Sequence, residues 1–220
     1  MPERHFDQEL EELKANLLRM VGLVEESIGE SVRALVERDD ALAEEVTRED
    51  GRIDAMEVVI EEACLRLLAL RQPIAVDLRF ITSAMKINND LERMADQAVN
   101  IAERALELNK EPLLKPLIDI PRMSELAQSM VKESLDAFIH RDSALARSVR
   151  ERDDEMDHLR DQVFRELLTY MMQDPKTINR AVHLILVARH LERIADLATN
   201  VAEDVVYFVQ GKVIRHGLEE

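Results

Sequence analysis

Apolar residues recur at steps of three and four along most of the chain, a spacing typical of amphipathic helices. The first run predicts a helix from about residue 7 to 37. The second run continues to about residue 70, where Pro73 ends it because its ring does not fit a helix interior. A third run extends from residue 75 to 108 and is rich in alanine in its second half. The first half of the chain therefore predicts three long helices.

The second half of the chain repeats this plan about 100 residues later. LERMADQAVNIAE (91–103) returns as LERIADLATNVAE (191–203), with nine of the thirteen positions identical. Between the halves, a stretch with three prolines, at residues 110–121, indicates a linker. We therefore predict an all-α protein of six long helices. They form two tandem pseudo-symmetric three-helix bundles, at residues 1–109 and 122–220.

Composition agrees with long helices and restricts the partners. The formal net charge of −16 argues against a nucleic-acid surface, since phosphate binding needs clustered Lys and Arg. It also disfavours docking by charge onto an anionic membrane. No window approaches 18 apolar residues, so we expect no direct membrane insertion. The single cysteine, Cys64, excludes an internal disulfide, and a cytoplasmic protein is expected.

Each copy of the repeat places acidic and amide residues on one face of its helix. At 100° per residue, the four positions span only about 80° and lie beside the apolar stripe. They are Glu92, Asp96, Asn100 and Glu103 in the first copy, and Glu192, Asp196, Asn200 and Glu203 in the second. Acids that only solvate a surface would have no reason to follow the edge of the core.

The preceding helix of each half adds a pair of acids four residues apart. These pairs are Asp50 with Asp54, and Asp153 with Asp157. Asp54 and Glu92 each stand 19 residues from Pro73. Because two antiparallel helices rise by the same distance per residue, this spacing brings their carboxylates to one height. The second half gives nearly the same levels around Pro175. Four carboxylates should therefore converge in each bundle.

Four converging acids without a Lys or Arg at matching positions would repel one another unless a cation lies among them or they become protonated. Oxygen ligands suit hard cations such as Mg²⁺, Mn²⁺, Ca²⁺ or Fe³⁺. We therefore predict one carboxylate metal site per bundle. Solvated or structural acids are the plain alternative, since such pairs are common on helices. Arg93 and Arg193 would be the neutralising partners in that case, although each points away from the polar row.

A ferritin-like di-iron enzyme is the rival explanation for carboxylates in a helical bundle, but its sites use Glu-x-x-His on the ligand helices. The third position after each repeated Glu is Ala95 or Ala195. The one match, Glu155 with His158, lies on the opposite side of its helix. We expect a protein that is not an enzyme, and a carboxylate-bridged multinuclear metalloenzyme or metal store stays as the alternative.

Three stretches carry a combined pattern, RQPIAVDLRF (71–80), DLERMADQAVNIAE (90–103) and its copy HLERIADLATNVAE (190–203). Together they resemble the PhoU family of bacterial phosphate-signalling regulators. The similarity covers nearly the whole chain, although DPKTINRAV stands where RQPIAVDLRF would repeat. The resemblance implies two three-helix bundles, and acidic motifs that bind multinuclear iron or other metal clusters in some members. In those motifs Asn100, Glu103, Asn200 and Glu203 are weaker candidates than the aspartate and glutamate pairs.

The resemblance also implies a role and partners. Proteins of this family are linked to repression of the phosphate regulon. They act with the ATPase subunit of the phosphate ABC transporter and a membrane sensor histidine kinase, often as homodimers. The bound ions would be divalent or trivalent, with iron, zinc, manganese, magnesium and calcium left open. The residues alone indicate an acidic helical adaptor with long exposed faces for a partner.

Overall fold

The computed structural model describes residues 2–211, and within that range every regular element is helical. The helices are α1 Pro2–Glu37, α2 Asp40–Arg71, α3 Ala75–Asn109, α4 Asp119–His140, α5 Ser143–Glu151, α6 Asp153–Gln173 and α7 Ile178–Gln210, with a 3₁₀ turn at Pro175–Thr177. Helices α1 to α3 form the first bundle, and α4 to α7 form the second. The predicted all-α class with two similar bundles is confirmed.

The turn after the first helix of each bundle is built from the same residue types. Arg38 and Arg141 adopt the left-handed conformation, with φ of 60° and 56°. The aspartate that follows each of them caps the next helix. Asp39 accepts a hydrogen bond from the backbone N–H of Leu42 (3.1 Å), and Asp142 accepts one from that of Leu145 (3.0 Å). These caps satisfy N–H groups that a helix start leaves without partners.

The second helix of the second bundle, the fifth of the six predicted helices, is divided into α5 and α6. Arg152 separates α5 from α6, and its guanidinium donates to Glu133 (2.8 Å) and Ser129 of α4. The backbone breaks where this side chain is held by the neighbouring helix. As a result Asp153 is the first residue of α6, where the helix dipole favours a negative charge. The matching Asp50 lies inside α2.

The segment between the bundles is attached to both of them. Arg38, directly after α1, donates to its backbone (2.7 Å), and so does Arg180 of α7 (2.8 Å). The buried Lys115 forms an ion pair with Glu166 of α6. Helix α4 begins soon afterwards, and Pro121 lies in its first turn, where the missing N–H is no loss.

The two bundles share one apolar core. Phe80 of α3 stacks on Phe138 of α4 with ring centroids 4.8 Å apart, and Phe208 of α7 packs at 5.7 and 5.5 Å from these rings. Helix α3 packs along α7, and α1 packs against α4. Each bundle is therefore stabilised by packing against the other. The acidic motifs lie on the outer faces of the bundles.

Candidate cation sites between paired helices

The first cluster of carboxylates lies between the antiparallel helices α2 and α3. Burial, followed by the charges of Asp54 and Asp96, raises the pKa of Asp50 above its usual value. Burial also raises the pKa of Glu92, and Asp96, Glu57, Asp54 and Asp50 add to the effect in that order. These carboxylates are close enough to repel one another across the two helices.

Glu57 belongs to this cluster although the sequence analysis did not select it. It lies three residues after Asp54, on the same side of α2, and its charge contributes to the raised pKa of Glu92. Among the side chains that the structure describes, at residues 5–211, none of the five carboxylates forms an ion pair with a Lys, Arg or His side chain. The first cluster therefore has five acidic groups and no counter-charge from the described residues.

The second cluster lies between α6 and α7 and contains an arginine. Burial, then Asp157 and Glu192, raises the pKa of Asp153. Burial, then Glu192, Asp153 and Asp157, raises the pKa of Asp196 to about 6. One guanidinium nitrogen of Arg160 donates to Asp157 (2.7 Å) and to Glu192 (2.6 Å). The premise that no Lys or Arg accompanies the acids was therefore wrong for this half.

Arg160 and Glu57 occupy equivalent positions in the two repeats. Each lies three residues after the second aspartate of its pair, Asp157 or Asp54. The first cluster thus combines five carboxylates, and the second combines four carboxylates with one guanidinium. Because a fixed cation already bridges α6 to α7, the acids of the second bundle are partly neutralised. Those of the first bundle are not.

The four weaker candidates lie at the edge of these clusters or away from them. Asn100 donates to the backbone carbonyl of Asp96 (2.7 Å), and Glu103 is exposed. In the second half, Asn200 and Glu203 line a groove between α3 and α7. Glu203 also forms an ion pair with Arg150 of α5 (3.6 Å). These contacts turn Glu203 away from α6, where the sequence analysis placed its partners.

The oxygen donors of the clusters suit a hard cation, but the positions of these side chains suit one less well. In the part of the chain from residue 2 to 211, no three or more His, Cys, Asp or Glu side chains are gathered in a way that could hold a metal ion. The donors are nevertheless hard oxygens on facing helices, as Mg²⁺, Mn²⁺ or Ca²⁺ requires. Partly exposed carboxylates change rotamer within nanoseconds, so they would turn onto an ion that enters.

The Glu-x-x-His pair that would signal a ferritin-like centre is engaged elsewhere. Glu155 forms an ion pair with Arg122 of α4 (2.8 Å). His158 Nδ1 lies 2.5 Å from the carbonyl oxygen of Asp154 within its own helix. Neither side chain takes part in the carboxylate cluster of the second bundle.

A duplicated three-helix bundle with acidic motifs between its second and third helices defines a class of repeat-containing helical proteins. Two matches to the PhoU domain, at residues 17–105 and 120–205, identify its family. The chain belongs to the PhoU family. The resemblance found in the sequence is therefore confirmed.

Relatives of known name cover almost the whole chain. A phosphate-specific transport system accessory protein PhoU homolog from Aquifex aeolicus is 50% identical over 209 residues, 95% of each chain. A homolog of the same name from Pseudomonas aeruginosa is 43% identical and covers 97% of this chain and 88% of its own. These names describe accessory proteins of transport, and the prediction that the chain is not an enzyme is confirmed.

Two solved structures have the same fold. The crystal structure of PhoU from Pseudomonas aeruginosa superimposes with a TM-score of 0.90 at 43% identity, over 94% of this chain and 100% of that chain. The phosphate transport system regulatory protein PhoU from Streptococcus pneumoniae gives 0.87 at 33% identity, over 94% and 98%. Among residues 2–211 of this chain, no helix has both the length and the apolar character needed to cross a bilayer.

Proposed function

We propose that this protein is a regulatory accessory protein of a phosphate transport system. It acts in the cytoplasm, as a homodimer, with the ATPase subunit of a phosphate ABC transporter and with a sensor histidine kinase. The observation that carries the proposal is the 50% identity, across 95% of the chain, to a protein named as an accessory of phosphate-specific transport. The helical fold suits an adaptor, since it presents long rigid faces to a partner.

The proposed role includes cation binding by the two carboxylate clusters. In the first bundle the ligands are Asp50, Asp54, Glu92 and Asp96, with Glu57 beside them. In the second bundle they are Asp153, Asp157, Glu192 and Asp196. The support is electrostatic: the acids of the first cluster raise one another's pKa and have no counter-charge from the described residues. Iron, zinc, manganese, magnesium and calcium are all candidates, and a bound ion would link α2 to α3.

The regulatory role is tested by affinity capture from cells grown in high phosphate. The tagged protein should retain the transporter ATPase, the kinase or both. A tagged helical bundle of similar size and charge serves as the control for non-specific capture. Failure to retain either partner above that control would contradict the proposed function.

Cation binding is tested separately by thermal unfolding of chelator-stripped protein with and without Mn²⁺. A ligand that binds only the folded state stabilises it by about 3 kcal/mol at a hundredfold excess over its Kd. The melting temperature should therefore rise with Mn²⁺ in the wild type. It should rise less in Asp50→Asn/Asp96→Asn, which keeps the shapes of the side chains and removes two charges. An equal rise in both proteins would contradict the first site.

A further inference from the structure

One pair of equivalent positions separates the two carboxylate clusters. Position 57 in α2 is a glutamate and position 160 in α6 is an arginine, and each follows the second aspartate of its acidic pair by three residues. Each acts on the equivalent glutamate of the facing helix. Burial and then the neighbouring carboxylates, Glu57 among them, raise the pKa of Glu92, whereas Arg160 donates to Glu192 (2.6 Å). The two clusters therefore differ by a reversal of charge at one position.

In the second bundle the guanidinium occupies the place that a bridging metal ion would take. One of its nitrogens, Nη1, donates to Asp157 (2.7 Å) and to Glu192 (2.6 Å), so a single atom contacts carboxylates of both helices. Ca²⁺ binds oxygen ligands at about 2.3–2.6 Å, which is nearly the same reach. The other terminal nitrogen, Nη2, donates to Asp161 (2.9 Å) and fixes the orientation of the group. A cation from solution could bridge Asp157 and Glu192 only after Arg160 had moved away.

Arg160 competes with such a cation because it belongs to the same chain. Its guanidinium stays charged at neutral pH, and its attachment to α6 keeps it beside the acids at a high effective concentration. The side chain is nevertheless 32% exposed, so solvent weakens the ion pairs that hold it. An ion at sufficiently high concentration can therefore displace it, and the second cluster is expected to bind cations weakly.

The equivalent space in the first bundle holds a further oxygen donor. Asn88 stands one turn before Glu92 on the same face of α3, and its amide nitrogen donates to the backbone carbonyl of Glu57 (2.9 Å). Its amide oxygen Oδ1 is buried and accepts no hydrogen bond within the part of the chain that the structure describes. A buried acceptor without a partner is costly, and a hard cation is one partner that satisfies it. The second bundle has Ala188 at this position.

We infer that the residue at position 57 or 160 decides whether a bundle binds a cation from solution or supplies its own. The first cluster binds a hard divalent cation tightly, and Glu57 and the amide oxygen of Asn88 add to its ligands. The second cluster holds Arg160 in the equivalent place and binds a cation only when that arginine is displaced. The inference rests on the proposed cation binding, and it adds which bundle is loaded and which residue controls the loading.

The test exchanges the two residues and measures Mn²⁺ binding to chelator-stripped protein by isothermal titration calorimetry. Glu57→Arg should weaken tight binding by at least about tenfold, because the new guanidinium takes the place of the ion. Arg160→Glu should add a second class of tight sites, because the second cluster then has the same charges as the first. Glu62→Arg makes the same change of charge at an exposed position, about 140° around α2 from Glu57, and should leave binding unchanged.

The melting temperatures of the metal-free proteins distinguish this exchange from damage to the fold. Glu57→Arg should melt at a higher temperature than the wild type in chelator, because the arginine relieves the repulsion among the remaining carboxylates. Arg160→Glu should melt at a lower temperature in chelator, and Mn²⁺ should raise it again. A variant that was merely damaged would lose Mn²⁺ binding and stability together.

The outcomes separate this inference from the proposed cation binding. Two equal classes of tight sites in the wild type, or unchanged Mn²⁺ binding in both exchange variants, would overturn the inference and leave cation binding standing. A Glu57→Arg protein that loses the ion but melts below the wild type in chelator would also overturn it, since the arginine would not then replace the ion. Absence of tight binding by the wild type would overturn both.

Discussion

Removing the charge of Asp196 should stabilise the metal-free protein, because burial and the neighbouring carboxylates disfavour its ionised form. Burial is the largest cause that raises its pKa from 3.8 to about 6, and Glu192 and Asp153 add to it. A shift of about two units corresponds to about 3 kcal/mol. The residue is exposed by its accessible surface, so solvent screening reduces this to about 1 kcal/mol. Asp196→Asn keeps the side-chain shape and should therefore raise the free energy of unfolding by about 1 kcal/mol at neutral pH.

The pH dependence has a defined sign. Because the pKa of Asp196 is higher in the folded state, the folded protein binds the extra proton, and its stability falls as the pH rises from about 4 to about 6. Above that window the carboxylate is ionised in both states and its full penalty is present. The advantage of Asp196→Asn should therefore be constant above neutral pH and should vanish below about pH 4.

The assay is urea unfolding followed by circular dichroism, in the presence of chelator, across this pH range. Asp161→Asn is the matched control, because the hydrogen bond from Arg160 lowers the pKa of Asp161. Its substitution should leave stability unchanged or reduce it at neutral pH. If Asp196→Asn is equal to or less stable than the wild type at about pH 8, the reasoning about repulsion in the second cluster is refuted.

Two further predictions concern the fixed cation and the shared core. Arg160→Gln should lower the melting temperature of the metal-free protein, because the acids that Arg160 bridges lose their counter-charge. For the same reason it should enlarge the rise in melting temperature that Mn²⁺ causes. An unchanged response to Mn²⁺ in thermal unfolding would count against this role. Phe138→Ala should destabilise the whole chain by about 3–5 kcal/mol in urea unfolding, since its ring is fully buried between the bundles. A loss below about 1 kcal/mol would mean that the bundles do not depend on a common core.

The helices and their repeat could be predicted because the signals are local. Pro73 and the capping Asp39 mark real helix ends, and the duplicated acids fall on facing helices. The break at Arg152 is not marked by a proline or glycine, and Arg152 contacts Glu133 of another helix, which local sequence does not reveal. Arg160 lies outside the i, i+4 pattern of the acids, because it stands three residues after Asp157, although position i+3 lies on the same side of a helix.

The shared core could not be predicted from periodicity. An apolar stripe indicates that one side of a helix is covered, but it does not identify the neighbour that covers it. Phe80 and Phe208 each fit a three-helix bundle taken alone, and only the structure shows them in contact across the two bundles. The same limit applies to exposed apolar residues such as Leu168, which the sequence does not distinguish from core residues.

The central claim, that acids on facing helices form cation sites, is tested most directly by elemental analysis of protein purified without chelator. The wild type should contain metal, and Asp54→Asn/Glu92→Gln should contain at least about one ion fewer per chain, because both helices of the first site lose a ligand. Glu44→Gln/Glu62→Gln removes the same number of charges from exposed positions and should keep the wild-type content. A metal-free wild type, or equal metal in all three proteins, would contradict the claim.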